Sequence, residues 1–409
     1  MDIFVARQPI FDRKRNVVAY ELLFRSGTDN FFDFHDGDMA ASRVIDESLL
    51  GFGLDKLTAG RRAFVNFTRR VLVKQLYTLL PSRYVVIELL ETVEPDQEVI
   101  QACIDLKDQG YTLALDDFVF HPKFRPLIEL ADIIKVDFLL SDKAERQKLP
   151  GLLRGSGVEL LAEKVETHED LTEALDFGYK YFQGFFFCKP EIVQKKGIPG
   201  FKLNYLRFIQ EVNRPDMDFD RLELIIKQEM SLSVKLLRYL NSAWFGWRHE
   251  VDSIRHAVRL LGERQIKKWA SLVAMTGMGD DKPTELVVTS LIRARFCELL
   301  APHVGLKHRD LELFLMGMLS LIDALMDRPL EDALAGISIS ADVKAALLGE
   351  DSPLSPVYQI VQAYERVDWD RLFSLASSLE IDGGTIAEMY ADSVEWADEA
   401  FRAPLAVTA

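Results

Sequence analysis

The sequence predicts two joined folds of different class. Residues 1–198 read as an α/β unit, a TIM-like βα barrel, and residues 199–409 read as an all-α helical bundle. Three observations carry this. Short β-branched runs alternate with amphipathic stretches through the first half. Polar residues recur within or at the ends of those runs. The second half repeats apolar residues at helical spacing only.

The strand candidates, in order, are NVVAYELLF, RRAFVNF, YVVIELLE, TLALDDF, DIIKVDF, VELLAEKV and YKYFQGFFF. Between them lie helical patterns such as PDQEVIQACIDLKDQG, with Gly110 placed as a helix C-cap. Strand–helix units about 20 to 30 residues apart build parallel sheets. Seven or eight of them point to a barrel. An open doubly wound sheet is the alternative, but its first turn carries no GxGxxG here.

Glu21, Asn66, Glu88, Asp116, Asp117, Lys135, Glu163 and Gln183 lie within or at the ends of the apolar runs. A barrel gathers the C-terminal ends of its strands around one mouth, so such side chains converge there. The competing reading pairs each with a nearby charge or a helix end. For the whole set that is the weaker reading, because buried carboxylates without partners are costly.

From about residue 205 the rhythm is helical, in SIRHAVRLLGERQIKKWASLVAM, TELVVTSLIRARFCELLAPHVG and SPVYQIVQAYERV among others. QKKGIPGFK, with Gly197, Pro199 and Gly200, marks the boundary. FQGFFFCKP reads as a core barrel strand, and Trp244, Phe245 and Trp247 read as buried between helices.

The formal charge of −15 disfavours broad nucleic-acid or anionic-membrane binding. Three scattered cysteines, Cys103, Cys188 and Cys297, suggest no disulfide framework and a reducing cytoplasm. No apolar run reads as a signal peptide or a membrane span.

The first half resembles an EAL domain, the cyclic di-GMP phosphodiesterase family. ARQPIFD resembles the family's opening, and YELLFR stands where Glu-Ala-Leu and its Arg occur, giving Glu21, Leu23 and Arg25. FVNF supplies Asn66, IELLE supplies Glu88 and Glu91, and LDDF supplies Asp116 and Asp117. IKVD, AEKVE and QGFFFCKP resemble the later motifs at Lys135, Glu163 and Gln183. The helical half resembles an HDOD domain, most clearly in LLRYLNSAWFG. Where an HD phosphohydrolase carries His-Asp, LFLMGMLSLID offers Ser320 and Leu321. His249, His256, His303 and His308 form no His-Asp pair, and His35-Asp36 lies in the other half.

The resemblance implies opening of cyclic di-GMP to the linear dinucleotide with Mg²⁺ or Mn²⁺. Glu21, Asn66, Glu88, Asp116 and Asp117 form a hard oxygen ligand set. It further implies Glu163 as general base, Lys135 orienting water or phosphate, and Gln183 ordering the water or metal shell. Arg25 would hold phosphate or guanine and Glu91 would brace the loop after the Asp pair. A protein partner for the helical half and a homodimer are the other expected associations.

Several positions depart from the family. Phe118-Val119-Phe120-His121-Pro122 replaces Phe-Gly-Thr-Gly, Leu22 replaces Ala, Ser26 stands where Trp is usual, and Lys164 replaces Gly. NFFDFHDGDMAASRVIDESLLGFG lacks the usual Phe-Ile-Pro region. Val and Phe avoid the positive φ that glycine adopts. The expectation is therefore a regulator whose barrel turns over weakly or not at all. The alternatives are a working phosphodiesterase and a chemically silent docking scaffold.

Overall fold

The computed structural model describes residues 3–26, 53–117, 122–191, 199–214, 216–228, 232, 236 and 253–405. The chain divides into two compact units between Phe187 and Cys188. The loop residues Phe118 to His121, the NFFDF segment as far as Phe52, and Trp244, Phe245, Trp247 and His249 lie outside the described residues.

The first unit is a closed eight-stranded barrel. Its strands are β1 (Ile3–Phe11), β2 (Val17–Ser26), β3 (Arg62–Phe67), β4 (Val85–Leu89), β5 (Thr112–Leu115), β6 (Ile133–Asp137), β7 (Glu159–Glu163) and β8 (Tyr181–Gln183). The seven strands read from sequence correspond to β2 through β8, which run parallel. The sequence reading left out β1, which pairs antiparallel with both β2 and β8. An antiparallel neighbour needs only a tight turn and no crossover helix. Asp12 supplies that turn by accepting the Lys14 and Asn16 backbone N–H groups at 2.8 and 2.9 Å. Arg7, Gln8 and Pro9 also interrupt the apolar alternation of β1, which hides it.

The helices between strands follow from stripe and cap. Gln97–Asp108 buries Val99, Ala102, Cys103 and Leu106 on one face. Asp96 caps its start by accepting the Val99 N–H at 2.9 Å. Its end is closed by Gly110 at φ 81, with Tyr111 N–H reaching Leu106 O at 3.2 Å.

Inside the barrel, Ile10, Ala19, Phe64, Val86, Ala114, Ile133 and Leu161 form one buried layer, with Tyr181 packed against it. Each comes from a different strand, so the layer plugs the barrel.

FQGFFFCKP is a strand only in its first two residues, Phe182 and Gln183, and Phe185–Cys188 forms a 3₁₀ turn. Phe186 and Phe187 are buried there and meet Phe11 at ring separations of 5.3 and 5.0 Å. Gly184 makes the change of direction possible. At φ 143 a Cβ on it would stand 2.2 Å from the Val165 carbonyl oxygen.

The second unit is helical among its described residues. Its longer helices include Gly200–Val212, Ile254–Met278 with a break at Gly262 (φ 68), Thr284–Leu300, Asp310–Leu319, Ser355–Glu365 and Gly383–Leu405. Thr284–Leu300 and Asp310–Leu319 pack backbone to backbone at Gly317, where a Cβ would lie 2.3 Å from Arg293 O. Tyr364 and Tyr390 stack on each other, and Phe296 of the first helix meets both edge-on. None of the described helices is long and apolar enough to cross a membrane.

Candidate active site

Side chains along a strand alternate faces, so the residue two positions past a core residue points the same way. Counting two toward the mouth from the buried layer gives Glu21 from Ala19, Asn66 from Phe64, Glu88 from Val86 and Asp116 from Ala114. The same step gives Lys135 from Ile133, Glu163 from Leu161 and Gln183 from Tyr181. On antiparallel β1 the step runs backward, from Ile10 to Gln8. A polar layer thus sits directly on the apolar plug. Register agrees, since Asn66 lies opposite Glu88 and Gln8 opposite Glu21.

Lys135 occupies the middle of this layer and has no exposed surface. Its ammonium lies 2.6 Å from Glu163, 2.9 Å from Asp116 and 3.2 Å from Glu21, and it also pairs with Glu88. Glu21 is held from both sides. Asn66 Nδ2 donates to its Oε1 at 3.2 Å and Gln183 Nε2 donates to its Oε2 at 2.6 Å. Gln183 Nε2 also donates to Gln8 Oε1 at 2.9 Å.

With both amide nitrogens committed, the amide oxygens are left over. Asn66 Oδ1 and Gln183 Oε1 are buried without a hydrogen-bond partner, and so are Glu88 Oε2, Glu163 Oε2 and Asp117 Oδ1. Buried acceptors normally find donors. Five orphaned oxygens in one layer fit a hard cation, which needs oxygen ligands and no donors. Two overlapping trios place ligand atoms within 4.8 Å of one another: Glu21, Glu88 and Glu163, and Asp116, Asp117 and Glu163.

The electrostatics reflect crowded negative charge. Burial, then the neighbouring Glu21 carboxylate, pushes Glu88 well above the usual carboxylate range. Burial also lifts Glu163 well above that range, against the opposing pull of Lys135. Burial would raise Asp116 too, but Lys135 overrides it and holds Asp116 below its ordinary value. Lys135 itself is raised far above an ordinary lysine because four carboxylates outweigh its burial. Burial and the adjacent Asp116 raise Asp117.

Asp117 leaves the alternation. Its backbone turns to φ 40, and the carboxylate thereby joins Asp116 and Glu163. Arg25 is buried on the same face of β2 as Glu21, further toward the mouth. Glu91 is exposed and is not drawn into the polar layer. It lines a largely apolar cavity of about 240 Å³ with Leu89, Val93, Leu115 and Phe124, and Asp116 and Asp117 line the same cavity.

Sequence reasoning missed three participants. Gln8 lay on the unread strand. Asp137 was quoted in a motif but given no role; its Oδ1 accepts the Leu139 and Leu140 N–H groups at 2.6 and 2.9 Å. Lys164 was noted only as a departure, yet its ammonium lies 2.5 Å from Asp137 and 3.7 Å from Asp117.

In the helical unit, the positions read against His-Asp are Ser320 and Leu321. Ser320 donates to Gly317 O at 2.7 Å and accepts from Arg293 at 3.1 Å. Leu321 is buried. Arg293 also donates to Glu365 through Nε at 2.9 Å and through a terminal nitrogen at 2.6 Å. His256, His303 and His308 are exposed.

The EAL domain family matches residues 38–190 and the HDOD domain family matches residues 198–337. The EAL match begins beyond β2, so Glu21 and Arg25 lie outside it although they belong to the barrel. The chain is 34% identical over 399 residues to cyclic di-GMP phosphodiesterase CdgJ of Vibrio cholerae, covering 97% of this chain and 92% of that protein. It is 35% identical over 404 residues to the uncharacterized protein YuxH of Bacillus subtilis, covering 97% of this chain and 98% of that one. A solved structure of Klebsiella pneumoniae BlrP1 in a calcium/cyclic di-GMP complex is similar with TM-score 0.39 and 25% identity, over 46% of this chain and 55% of that one. That likeness is too slight to add to the closed barrel and the two domain matches. The full-length relatives and the two matched domains establish that the chain belongs to the bacterial signalling proteins that join an EAL domain, of cyclic di-GMP phosphodiesterase type, to an HDOD domain.

Proposed function

We propose that the barrel binds cyclic di-GMP with Mg²⁺ or Mn²⁺ and opens it to the linear dinucleotide. The observation that carries this is the ring of orphaned oxygens on Asn66, Glu88, Asp117, Glu163 and Gln183 around Lys135. A divalent ion bound there supplies charge neutralisation at phosphorus and eases activation of water. The protein's part is to position and to move a proton. Glu163, held well above the usual carboxylate range by burial, is suited to take a proton near neutral pH. Lys135 presents a fixed positive charge to a phosphate or a water. Gln183, anchored through its nitrogen, orients what its oxygen meets. Arg25 offers a planar fork for phosphate or guanine.

A second reading is favoured by Lys164. An ammonium beside Asp117 lowers the negative charge available for metal on that side. The barrel would then bind nucleotide and turn it over weakly, acting as a sensor. In either reading the helical unit serves a protein partner rather than chemistry.

Product analysis decides. The purified chain is incubated with cyclic di-GMP and Mg²⁺ or Mn²⁺, beside Asp116→Ala. Linear product from the parent and none from the variant supports hydrolysis. Nucleotide binding by calorimetry without product supports the sensor. Neither binding nor product overturns both.

A further inference from the structure

The two acidic trios share Glu163, so the polar layer offers two cation positions side by side. One is bounded by Glu21 and Glu88, the other by Asp116 and Asp117. Lys164 reaches the second. Its ammonium stands 3.7 Å from Asp117 Oδ2 and 2.5 Å from Asp137 Oδ2.

Its placement is enforced by the backbone. β7 ends at Glu163, and Lys164 takes φ 53, a left-handed conformation that disfavours residues with a Cβ. The next residue is clamped, since Val165 N–H donates to Gln183 O at 2.9 Å and Phe186 N–H donates to Val165 O at 3.1 Å. Gly184 lies against the same peptide so closely that no side chain fits between. The turn is thereby braced on its far side, and the Lys164 stem reaches across toward the ends of β5 and β6. Asp137 anchors the far end: it is buried, and its other oxygen is already taken by two backbone N–H groups.

We propose that the Lys164 ammonium, anchored by Asp137, takes the cation position beside Asp117, so that the barrel holds a single divalent ion, which shares Glu21 and Glu88 with the Lys135 ammonium on the other side. The inference rests on reading the polar layer as a metal site, and it adds that one of its two positions is filled by the chain itself. Lys164 is a positioning residue. It holds Asp117 and Asp137 in place of a metal.

The test is a manganese titration of the full-length chain without nucleotide, followed by electron paramagnetic resonance. The unsubstituted chain is expected to saturate at one Mn²⁺ per chain, with the spectrum of an isolated ion. Lys164→Gly, which suits the left-handed turn, is expected to saturate at two, with the exchange-coupled spectrum of a close pair. Lys164→Gln serves as a second neutral variant, and Lys164→Arg is expected to keep the count at one. Circular dichroism confirms that each variant is folded. Two coupled ions in the unsubstituted chain would overturn the proposal, as would a count of one in both folded neutral variants. No bound manganese in any chain would also overturn it, and would identify the metal reading as the part that failed.

Discussion

The barrel and the helical unit both bury charge, and they do so in opposite ways. In the helical unit Arg293 meets Glu365 through two nitrogens and Ser320 through a third, so every guanidinium nitrogen has a partner. In the barrel, the carboxyl groups of Glu21, Glu88, Asp116, Asp117 and Glu163 face the ammonium groups of Lys135 and Lys164, and several oxygens have no donor at all. The first arrangement is closed and holds helices together. The second is open and waits for something positive. Satisfaction, rather than burial or charge, separates a structural cluster from a candidate reactive one.

The largest expected effect tests the open cluster. Glu163→Gln keeps the shape and removes the proton acceptor, so cyclic di-GMP turnover should fall by roughly 10²–10⁴-fold. Rate measurements across pH check this, and an unchanged rate would remove Glu163 from the chemistry. Next comes the closed cluster. Arg293→Met leaves the half-buried Glu365 without its partner, which costs up to about 3 kcal/mol, the low end for a buried pair. Chemical denaturation of the helical unit should show the loss, and replacing Glu365 by Leu as well should recover most of it. Little change on Arg293→Met alone would mean the pair is not closed as described.

Glu88→Gln sharpens the contrast. Removing a carboxyl whose charge is opposed by burial should leave metal-free stability within about 1 kcal/mol of the parent. The rise in melting temperature on adding Mg²⁺ or Mn²⁺ should vanish. A retained rise would place the ion elsewhere.

The smallest effect is in pH. Glu88 and Glu163 keep protons in the fold to higher pH than unfolded carboxyls do. The native chain then binds more protons than the unfolded one above the ordinary carboxylate range, so their contribution to stability falls as pH rises through that window. Asp116 runs the other way, contributing stability above the ordinary range that is lost on acidification. A divalent ion must displace the protons on Glu88 and Glu163. The metal-induced gain in melting temperature should therefore grow from mildly acidic to neutral pH. A gain that is flat with pH would mean those protons are absent.

Much of this was legible in the sequence. The alternation of β-branched runs with helical stretches located the parallel strands, and the place of Glu21, Asn66, Glu88, Lys135 and Glu163 within or at the ends of those runs marked them for one mouth. What sequence periodicity could not supply was the reach of a side chain. That Lys135 lies at the centre of four carboxylates depends on barrel radius, and that Lys164 crosses to Asp117 depends on a left-handed turn at a residue that rarely takes one. β1 was invisible because Pro9 and two polar neighbours break its alternation. Glu91 was read as a brace for the loop after the Asp pair; it lies two residues past the end of β4, in the lining of a cavity shared with Asp116 and Asp117.

The seam between β1 and β8 has a consequence for how the molecule comes into being. Gln183 meets Gln8 from 175 positions further along the chain. During synthesis the first strand must wait for the last before the circle shuts, and long-range pairing of this kind slows assembly. Until then Glu21 lacks the Gln183 amide that steadies it. A ribosome-stalled fragment ending before β8 would carry nearly every acid and still have no finished cradle for a cation.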